Sequence, residues 1–443
     1  MIIMEDEVNR IFRVRAYGAM GDGQTNDARA IQAAIDDCAQ NGGGRVILDD
    51  GRTYLASSII MKSHVDLFLE KDATLKANTD LDRFVSPARI ADRRSAPQIS
   101  QLACAQTDRM VHPHAADKPR LAWIYAYDQD DISISGEGTI VGNADEVTHR
   151  VNPYYVTEMG LPRPTLIYLE HCRDVRVMGA QIRKAPFWTL HLAGCEHVVV
   201  SGIAIMNDLD CANSDGIDPD HSRDVLIENC RIECADDCIV IKNTRGNIEY
   251  GDCSSITVRN CDLVSTSAAL KIGTESWGHF HDIDVADCRI ARSNRGISLQ
   301  LRDSGLMENI RFRNITIDTR RFSPEWWGCG EPIAITALAR DPSQPVGLIR
   351  NILFENIDCD SENGILVYAL ESGHIENLDF SGIKIRLSVK SKWFGKGYDL
   401  RPGHNSGIIN RAPVAFLIHN AENVRQFEVS GVNELAGLDL DEA

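Results

Sequence analysis

Short segments with one shared pattern recur through the chain and decide its fold. The first reads DVRVMGA (174–180) and the second reads HVVVSGI (197–203), with apolar residues at the second and fourth positions. In most of them a turn residue follows at the sixth position and a small or apolar residue at the seventh. Six more segments share this pattern: DVLIENC (224–230), SITVRNC (255–261), DIDVADC (282–288), NIRFRNI (309–315), NILFENI (351–357) and NLDFSGI (377–383). Most of these segments begin 23 to 31 residues after the previous one. Repeats with a period of this length are typical of solenoids, in which each coil contacts only its neighbours.

Stacking these segments in register produces two columns. The seventh positions are small or apolar, as a column facing a core requires: Ala180, Ile203, Cys230, Cys261, Cys288, Ile315, Ile357 and Ile383. The sixth positions hold residues that tolerate a left-handed corner, and Asn or Asp there can hydrogen-bond from coil to coil: Gly179, Gly202, Asn229, Asn260, Asp287, Asn314, Asn356 and Gly382. We therefore predict an all-β fold, a right-handed parallel β-helix forming one domain over 1–443, with coils and inserted loops from about 50 to 435. The cysteines of the inward column are predicted to pack in the core.

A helix is predicted before the coils, in TNDARAIQAAIDDCAQNGGG (25–44). Its apolar residues Ile31, Ala34, Ile35 and Cys38 recur at helical spacing. Thr25 or Asn26 can cap its start, and the glycines at 42–44 end it. Such a helix, within a cap region at 13–45, would cover strand edges exposed at the open end of the solenoid.

The composition limits the classes of partner. The chain has 443 residues and a net charge of −18, which argues against nucleic acid and anionic membranes as partners. Its 13 cysteines form no CxxC pair, and the N-terminus shows no apolar signal region. We therefore predict a cytoplasmic protein with reduced thiols and without a cofactor. Oligomerisation is possible, but the sequence does not indicate it.

Residues 211–243, CANSDGIDPDHSRDVLIENCRIECADDCIVIKN, carry the candidate chemistry. Asp236 and Asp237 follow Asp215 by about one coil, and adjacent coils lie roughly 4.8 Å apart. Three crowded carboxylates repel one another, so the pKa of at least one should rise. One acid and one or two bases are what glycoside hydrolysis requires. The alternatives are a solvated Asp-Asp turn and a Ca²⁺ site.

This stretch resembles the signature of glycoside hydrolase family 28, the polygalacturonases, in which N-[TS]-D-G-[IF]-D precedes G-D-D-C-[IV]-[AV]-I-K. Residues 213–218 match the first part, and 236–242 match the second, with Ala235 in place of its glycine. Further matches are Gly21-Asp22-Gly23, Thr25-Asn26-Asp27, ISGEG (134–138), Arg163-Pro164 and PFWTLH (186–191). The resemblance spans roughly residues 13–385. It implies hydrolysis with inversion, Asp236 as general acid, and Asp215 and Asp237 holding the attacking water. Asn213 and Lys242 are then candidate substrate-binding residues, and no metal is implied.

Two motifs of that family are absent. Its Gly-His-Gly aligns with Ser267-Ala268-Ala269, and its Arg-Ile-Lys aligns with Ser298-Leu299-Gln300. The same register places Asp237, Ala268 and Arg295 in one column and Val240, Lys271 and Ser298 in another. Lys271 and Arg295 are therefore candidate replacements for the missing cations, and Arg302 is a weaker one. The sugar stays open between a uronate held differently and a neutral sugar.

Other side chains are candidates for lining a sugar cleft. Trp327, together with Trp277 and Trp326, could stack on sugar rings or cover a solenoid edge. Glu331 and Glu275 are acids at coil edges, and His191 either lines the cleft or packs beneath it. His279 and His281 alternate outward in GHFHD. Without a third ligand evident in the sequence, we predict no metal site at this pair.

Three function classes follow from these observations. The first is an inverting glycoside hydrolase acting on oligosaccharides derived from pectin or a related plant or microbial glycan. A cytoplasmic location would favour exo-action, with loops at 86–120, 144–163 and 390–408 closing one end of a groove. The second is another sugar-active β-helix enzyme, a lyase, fructotransferase or epimerase, with Lys271 or Arg295 as base. The third is a non-catalytic carbohydrate-binding solenoid.

Overall fold

The computed structural model describes residues 10–87, 119, 121–147, 163–395, 397–403 and 406–435. Its strands pair in parallel from coil to coil and form three stacks, two of which join into one sheet. The fold is the predicted right-handed parallel β-helix. The domain limits at 1–443 stay a prediction, because both termini lie outside the described ranges.

The first stack continues along the length of the helix. Its strands are Ile11–Arg13, Gly44–Leu48, Val65–Leu69, Asp130–Gly136, Arg173–Met178, Glu196–Ser201, Arg223–Glu228, Cys253–Arg259, His279–Ala286, Leu306–Thr319, Leu348–Ser361, Ile375–Leu387 and Glu422–Phe427. The second stack shares the three longest of these strands, those beginning at Leu306, Leu348 and Ile375. Its other strands are Asp22–Asn26, Thr53–Ala56, Thr74–Ala77, Thr139–Val141, Gln181–Arg183, Ala204–Met206, Arg231–Cys234, Asp262–Ser265, Arg289–Ser293 and Ser430–Asn433.

The third stack is a separate sheet and positions the candidate site. Its strands are Ile59–Ile60, Ala122–Tyr127, Thr165–Glu170, Leu190–Ala193, Ile217–Asp220, Ile239–Asn243, Ala268–Ser276, Arg295–Leu301, Ile333–Ala337, Ile365–Ala369 and Phe416–His419. Beyond the stacks, Tyr398–Asp399 pairs with Ile408–Ile409 in the predicted 390–408 loop. The other two predicted loops, 86–120 and 144–163, lie almost wholly outside the described residues.

The predicted cap helix is present as Ala28–Gln40. All four residues of its predicted apolar face are fully buried against the first coils. Asn26 contributes to the start of the helix, since its Oδ1 accepts a hydrogen bond from the Ala28 amide at 3.2 Å. Gly42 and Gly43 follow its end with φ of 85° and 94°. The other helical segments are Ala144–Val147, Val14–Tyr17, Leu81–Arg83 and Arg245–Tyr250, and no helix within the described ranges is long and apolar enough to cross a membrane.

Both predicted columns are confirmed. Every residue of the seventh-position column is buried, and the three cysteines in it have free thiols. Every residue of the sixth-position column has a φ between 53° and 78°, the left-handed region. The amides also connect coils, because Asn314 Nδ2 donates to Asp287 Oδ1 at 3.1 Å and Asn356 Nδ2 donates to Asn314 Oδ1 at 3.3 Å. The repeat therefore encodes the corner as well as the core.

Replacing Asn314 by Ala should lower the free energy of unfolding by about 1–2 kcal/mol. An alanine at φ 54° adopts a backbone conformation that costs a non-glycine residue about that much. Chemical denaturation of the parent and variant measures the loss. Asn314→Gly is the matched control and should lose less, because glycine adopts this φ readily. Equal losses for Ala and Gly would contradict the backbone explanation.

Candidate active site

A cleft of about 210 Å³ lies over the outer face of the third stack. Strands Ile239–Asn243, Ala268–Ser276 and Arg295–Leu301 form its floor. Eight of the residues that line the cleft carry charged side chains. The lining residues are Asn213, Asp215, Asp236, Asp237, Lys242, Ser267, Ala268, Lys271, Thr274, Glu275, Arg295, Gln300, Trp327, Arg340 and Pro402.

The strand register brings residues from distant parts of the chain onto this face. Val240 pairs with Lys271 and Lys271 with Ser298, while Ala268 pairs with Arg295. These are the columns predicted from the sequence. Side chains alternate between the two faces of a strand. Lys271 and Gln300 therefore line the cleft, while their chain neighbours Leu270, Ile272, Leu299 and Leu301 lie in the core.

The three predicted catalytic carboxylates converge. One oxygen from each of Asp215, Asp236 and Asp237 lies within 4.8 Å of the others. Lys242 Nζ is 3.0 Å from Asp215 Oδ2, and Lys271 Nζ is 2.7 Å from Asp237 Oδ2. Two of the carboxylates therefore have a cation of their own.

Asp236 is the third carboxylate and forms no ion pair with a described residue. Its Oδ2 accepts hydrogen bonds from the backbone amide and Nδ2 of Asn213, at 3.2 and 3.4 Å. Arg163 donates to Asn213 Oδ1 at 2.7 Å and so orients that amide. Burial, with repulsion from Asp215 and Asp237, holds the pKa of Asp236 well above its usual range. Of the three carboxyls, Asp236 is therefore the one whose surroundings most favour the protonated form.

Asp215 and Asp237 are better suited to carry negative charge. Burial raises the pKa of Asp215, but the ammonium of Lys242 opposes that rise. Ser267 Oγ and the Ala268 amide donate hydrogen bonds to Asp237 Oδ1 at 3.1 and 3.2 Å, and Lys271 contacts its other oxygen. One acid beside two bases is the combination that glycoside hydrolysis requires.

Lys242 lies at the buried end of this group. Its Nζ is also 2.8 Å from Asp218 Oδ1 and 3.3 Å from the centroid of the Trp188 ring. Burial alone would lower the pKa of Lys242, but Asp215 and Asp218 more than offset it and raise that pKa. Lys242 and Lys271 already pair with two of the three aspartates, which disfavours the Ca²⁺ alternative for this cluster.

His191 lies behind the cleft wall and is not among the lining residues. It is 2% exposed, and its Nε2 is 3.0 Å from Asp220 Oδ2. Its ring packs against Tyr168 and Trp188, with centroids 4.9 Å away in both cases. Burial lowers the pKa of His191, although Asp220 opposes this. Of the two alternatives for this residue, the position fits packing beneath the site; direct contact with a sugar stays a prediction.

Arg295 reaches the cleft but is held by its neighbours. Its Nε is 3.3 Å from Glu331 Oε2, and its Nη2 donates to the Asp399 carbonyl at 2.5 Å. Glu331 is fully buried and does not line the cleft; it also accepts hydrogen bonds from the amides of Cys329 and Asp399, at 2.8 and 2.9 Å. The structure therefore gives Glu331 an anchoring position, and its binding to substrate stays a prediction.

Arg302 also lies outside the cleft lining and is 2% exposed. It donates to the carbonyls of Leu301, Thr336, Leu400 and Pro402. Burial, together with the nearby arginines, lowers the pKa of Arg302 to about 9. The guanidinium thus fastens the segment that carries Pro402 into the cleft, and contact with substrate stays a prediction.

Of the remaining predicted residues, some line the cleft and others do not. Trp327 lines the cleft, as predicted for a stacking platform, and its ring lies 4.9 Å from that of Trp326. Trp277 is not in the lining and contacts Arg245. Ala268, at the position of the family's histidine, does line the cleft.

The sequence reasoning missed Arg340 and Gln300. Arg340 follows strand Ile333–Ala337, and its Nη2 donates to the Thr274 carbonyl at 2.9 Å and lies 3.6 Å from Glu275 Oε1. Gln300 Oε1 is buried in the wall and accepts no hydrogen bond from a described residue. Gln300 could have been found from its alignment with the family's lysine. Arg340 lies in the long interval between the segments that start at 309 and 351, where an inserted loop prevents the coil register from being extended.

A β-helix with a carboxylate-lined cleft of this kind defines a sugar-cleaving hydrolase. The model of the glycosyl hydrolases family 28 matches residues 101–397, and that of the rhamnogalacturonase A/epimerase, pectate lyase-like family matches residues 11–98. The chain belongs to glycosyl hydrolases family 28 and is a glycoside hydrolase of the polygalacturonase-like group.

Individual relatives agree with this assignment. A probable polygalacturonase from Vitis vinifera is 26% identical over 390 residues, which are 85% of this chain and 74% of the relative. The exopolygalacturonase of Thermotoga maritima shares the fold with a TM-score of 0.70 at 20% identity, covering 95% of this chain and 92% of that one. The family 28 exopolygalacturonase of Yersinia enterocolitica has a TM-score of 0.68 at 18% identity, with coverages of 97% and 76%.

Proposed function

We propose that this protein is an inverting, exo-acting hydrolase that removes a uronate, of the galacturonate class, from the end of a pectin-derived oligosaccharide. The observation that carries the proposal is the unequal environment of the three carboxylates. Asp236 forms no ion pair with a residue that the structure describes and has a raised pKa, whereas Asp215 and Asp237 each contact a lysine. The names of the relatives supply the substrate class.

The geometry assigns a role to each carboxyl. Asp236 donates its proton to the glycosidic oxygen as the bond to the anomeric carbon breaks. Asp215 and Asp237 accept hydrogen bonds from a water whose oxygen attacks that carbon, and one of them takes the proton released. The products are two sugars that together have gained one water.

The stereochemical outcome needs a direct measurement. Acid and base carboxyls are about 6.5–9.5 Å apart in inverting enzymes and about 5–5.5 Å apart in retaining ones. Here the nearest oxygens lie within 4.8 Å, but that is a nearest-atom value within a group of three. We base inversion on the family pattern, in which two carboxylates hold the water together. Anomeric NMR of the first product distinguishes the outcomes, and retention would overturn this part of the proposal.

Exo-action is supported by the segment that carries Pro402. Pro402 lines the cleft, while Asp399 in the same segment is buried and accepts a hydrogen bond from the Gly328 amide at 2.6 Å. Arg302 and Arg295 both donate to carbonyls of this segment. A rigid wall at this end of the cleft favours a terminal sugar over a continuous polymer.

Recognition of a sugar carboxylate falls to the most accessible cation. The side chain of Arg340 is 39% exposed, against 14% for Lys271 and 4% for both Lys242 and Arg295. Lys271 pairs with Asp237 at 2.7 Å, whereas Arg340 pairs at longer distances, with Asp303 at 3.3 Å and with Glu275 at 3.6 Å. We infer that Arg340 receives the carboxylate, with Lys271 adding positive charge beside it.

Arg340→Gln should therefore raise KM for a galacturonate oligomer about tenfold or more, since charged hydrogen bonds contribute about 1.5–3 kcal/mol. Steady-state kinetics should show a smaller change on the same oligomer with its carboxyls esterified. Arg313→Gln is the matched control, because Arg313 is similarly exposed at 38% and pairs with Asp284 outside the cleft. Equal KM increases on both substrates would assign Arg340 a structural role instead.

The function itself is tested by a product screen. Oligogalacturonides, rhamnogalacturonan fragments and neutral oligosaccharides are incubated with the protein and analysed by mass spectrometry. Monomers released from one end of an oligogalacturonide, with one water gained for each bond cleaved, would support the proposal. Dehydrated, ultraviolet-absorbing products would establish a lyase, and binding without turnover on all three classes would favour the carbohydrate-binding solenoid.

A cytoplasmic location remains part of the proposal. Eleven cysteines in the described ranges, among them Cys230, Cys261 and Cys288, have free, buried thiols, which suits a reducing compartment. Fractionation of the source cells, with the protein found outside the cytoplasm, would overturn it.

A further inference from the structure

We propose that Asp252, His279 and His281 form a binding site for a divalent transition-metal ion of the zinc class. None of the three lines the cleft, so the site is separate from the catalytic carboxylates. Imidazole and carboxylate are the ligand types that Zn²⁺ shares with its neighbours in the transition series. The inference does not depend on the proposed function.

Strand alternation brings the three side chains together. His279 and His281 begin strand His279–Ala286, and Phe280 between them is fully buried, so both imidazoles point outward. In the preceding coil, Cys253 pairs with Phe280. Asp252 directly precedes Cys253 and therefore lies beside His279 on the same outer face.

The ligand atoms already converge on one point. Asp252 Oδ2 is 3.8 Å from His279 Nδ1 and 3.9 Å from His281 Nε2, and the two rings have centroids 4.3 Å apart. Ligand atoms of a tetrahedral zinc site lie roughly 3.3 Å apart, given bonds of about 2.0–2.1 Å. Side chains that are 27–51% exposed can close this difference by small rotations.

The outer nitrogen of each imidazole contacts a carboxylate, and this observation points independently to a metal. His281 Nδ1 forms a hydrogen bond with Asp282 Oδ2 at 2.8 Å. His279 Nε2 lies 3.0 Å from Glu308 Oε1 as an ion-pair contact, without the angles of a hydrogen bond. Metal-binding histidines almost always donate their second N–H to such a partner, which turns the other nitrogen's lone pair toward the metal. Arg350 holds Glu308 in place at 2.7 Å.

A second histidine shows why the pair matters. His197 also lies between two aspartates, 3.3 Å from Asp174 and 3.8 Å from Asp224, but no other imidazole reaches it among the described residues. His197 therefore has carboxylates beside it but lacks the second imidazole that a zinc site of this kind needs. Binding at the His279–His281 pair would instead link successive coils through Asp252 and Glu308, and so stabilise this stretch of the solenoid.

Calorimetric titration of the full chain with Zn²⁺ tests the proposal. The parent should bind one equivalent more than His281→Ala, and Asp282→Asn should bind that equivalent about 10–100-fold more weakly. Zn²⁺ should raise the Tm of the parent by mass action, and His281→Ala should lose that increase. Activity without added metal should be the same in the parent and His281→Ala.

His197→Ala is the matched control and should retain both the stoichiometry and the Tm increase. His279→Gln provides a second variant if His281→Ala folds poorly. Equal stoichiometry and equal Tm increases in the parent and both histidine-pair variants would overturn the site. So would a loss in His197→Ala as large as that in His281→Ala.

Discussion

Asp236→Asn should lower kcat on the preferred oligosaccharide about 10²–10⁴-fold and leave Kd for that substrate nearly unchanged, as expected when a general acid is removed. The amide preserves the size of the side chain and can keep the contact with the Asn213 amide. It cannot donate a proton to the leaving oxygen. Steady-state kinetics measure the turnover, and calorimetry with intact substrate measures the binding.

Asp236→Asn should lower turnover but raise the stability of the folded protein. The pKa of Asp236 is raised in the folded state, so the native protein binds more protons than the unfolded chain. The free energy of unfolding contributed by this group therefore falls as pH rises from the unfolded value, about 3.9, through the native value. The asparagine variant lacks this loss. Its Tm should exceed that of the parent by an amount that grows with pH across that window.

Asp284→Asn is the control for this pair of effects. Asp284 is partly exposed and pairs with Arg313 at 2.6 Å, away from the cleft. It should change kcat by less than about twofold, because surface ion pairs contribute little. A turnover loss in Asp236→Asn no larger than this, with the protein folded, would remove Asp236 from the role of general acid.

The coil corners show how far the repeat determines the fold. The column at 179, 202, 229 and onward was predictable because Gly, Asn and Asp share one property there, tolerance of positive φ. The structure has a second such column near the start of the same segments, with φ of 53–55° at Asp174, His197 and Ser255. The column continues through Asp224, Asp282, Asn309, Asn351 and Asn377, so six of its eight residues are Asp or Asn. The same tolerance of positive φ therefore explains most of this column, and the stacking of whole coils brings His197 and Ser255 into the same conformation.

The candidate site shows the same limit. The three aspartates matched the family motif, and the register of Lys271 and Arg295 followed from the nearly constant spacing of the coils. Arg340 follows its strand in an irregular stretch, and Asp252 lies 27 positions before His279, on the neighbouring coil. The separation of Asp252 and His279 equals the 27 positions between the repeated segments that start at 255 and 282, so the coil register could have predicted this contact. The contacts of Arg340 could not be predicted in this way, because an inserted loop precedes the next segment.

Lys242→Met should lower the free energy of unfolding by about 3–5 kcal/mol, the cost of leaving a buried charge without its partner. The ammonium is 4% exposed and pairs with Asp215 at 3.0 Å and with Asp218 at 2.8 Å. Methionine fills a similar volume and keeps the contact with the Trp188 ring, so lost packing contributes little. Chemical denaturation at pH 7 measures the loss.

The pH dependence of that loss identifies its cause. Burial already raises the pKa of Asp218 well above its usual range, against the effect of Lys242, and without the ammonium that pKa rises further. Protonation then relieves the unpaired charge, so the destabilisation at pH 7 should shrink as the pH is lowered. Adding Asp218→Asn to Lys242→Met should recover part of the stability at pH 7.

Lys184→Met is the matched control. Lys184 is 39% exposed and pairs with Asp145 and Asp208, so this variant removes the same charge but should lower the free energy of unfolding by less than about 1 kcal/mol. Equal losses of stability in the two lysine variants would contradict this explanation. So would a loss in Lys242→Met that does not change with pH, because Lys242 would then not be what compensates the buried charges of Asp215 and Asp218.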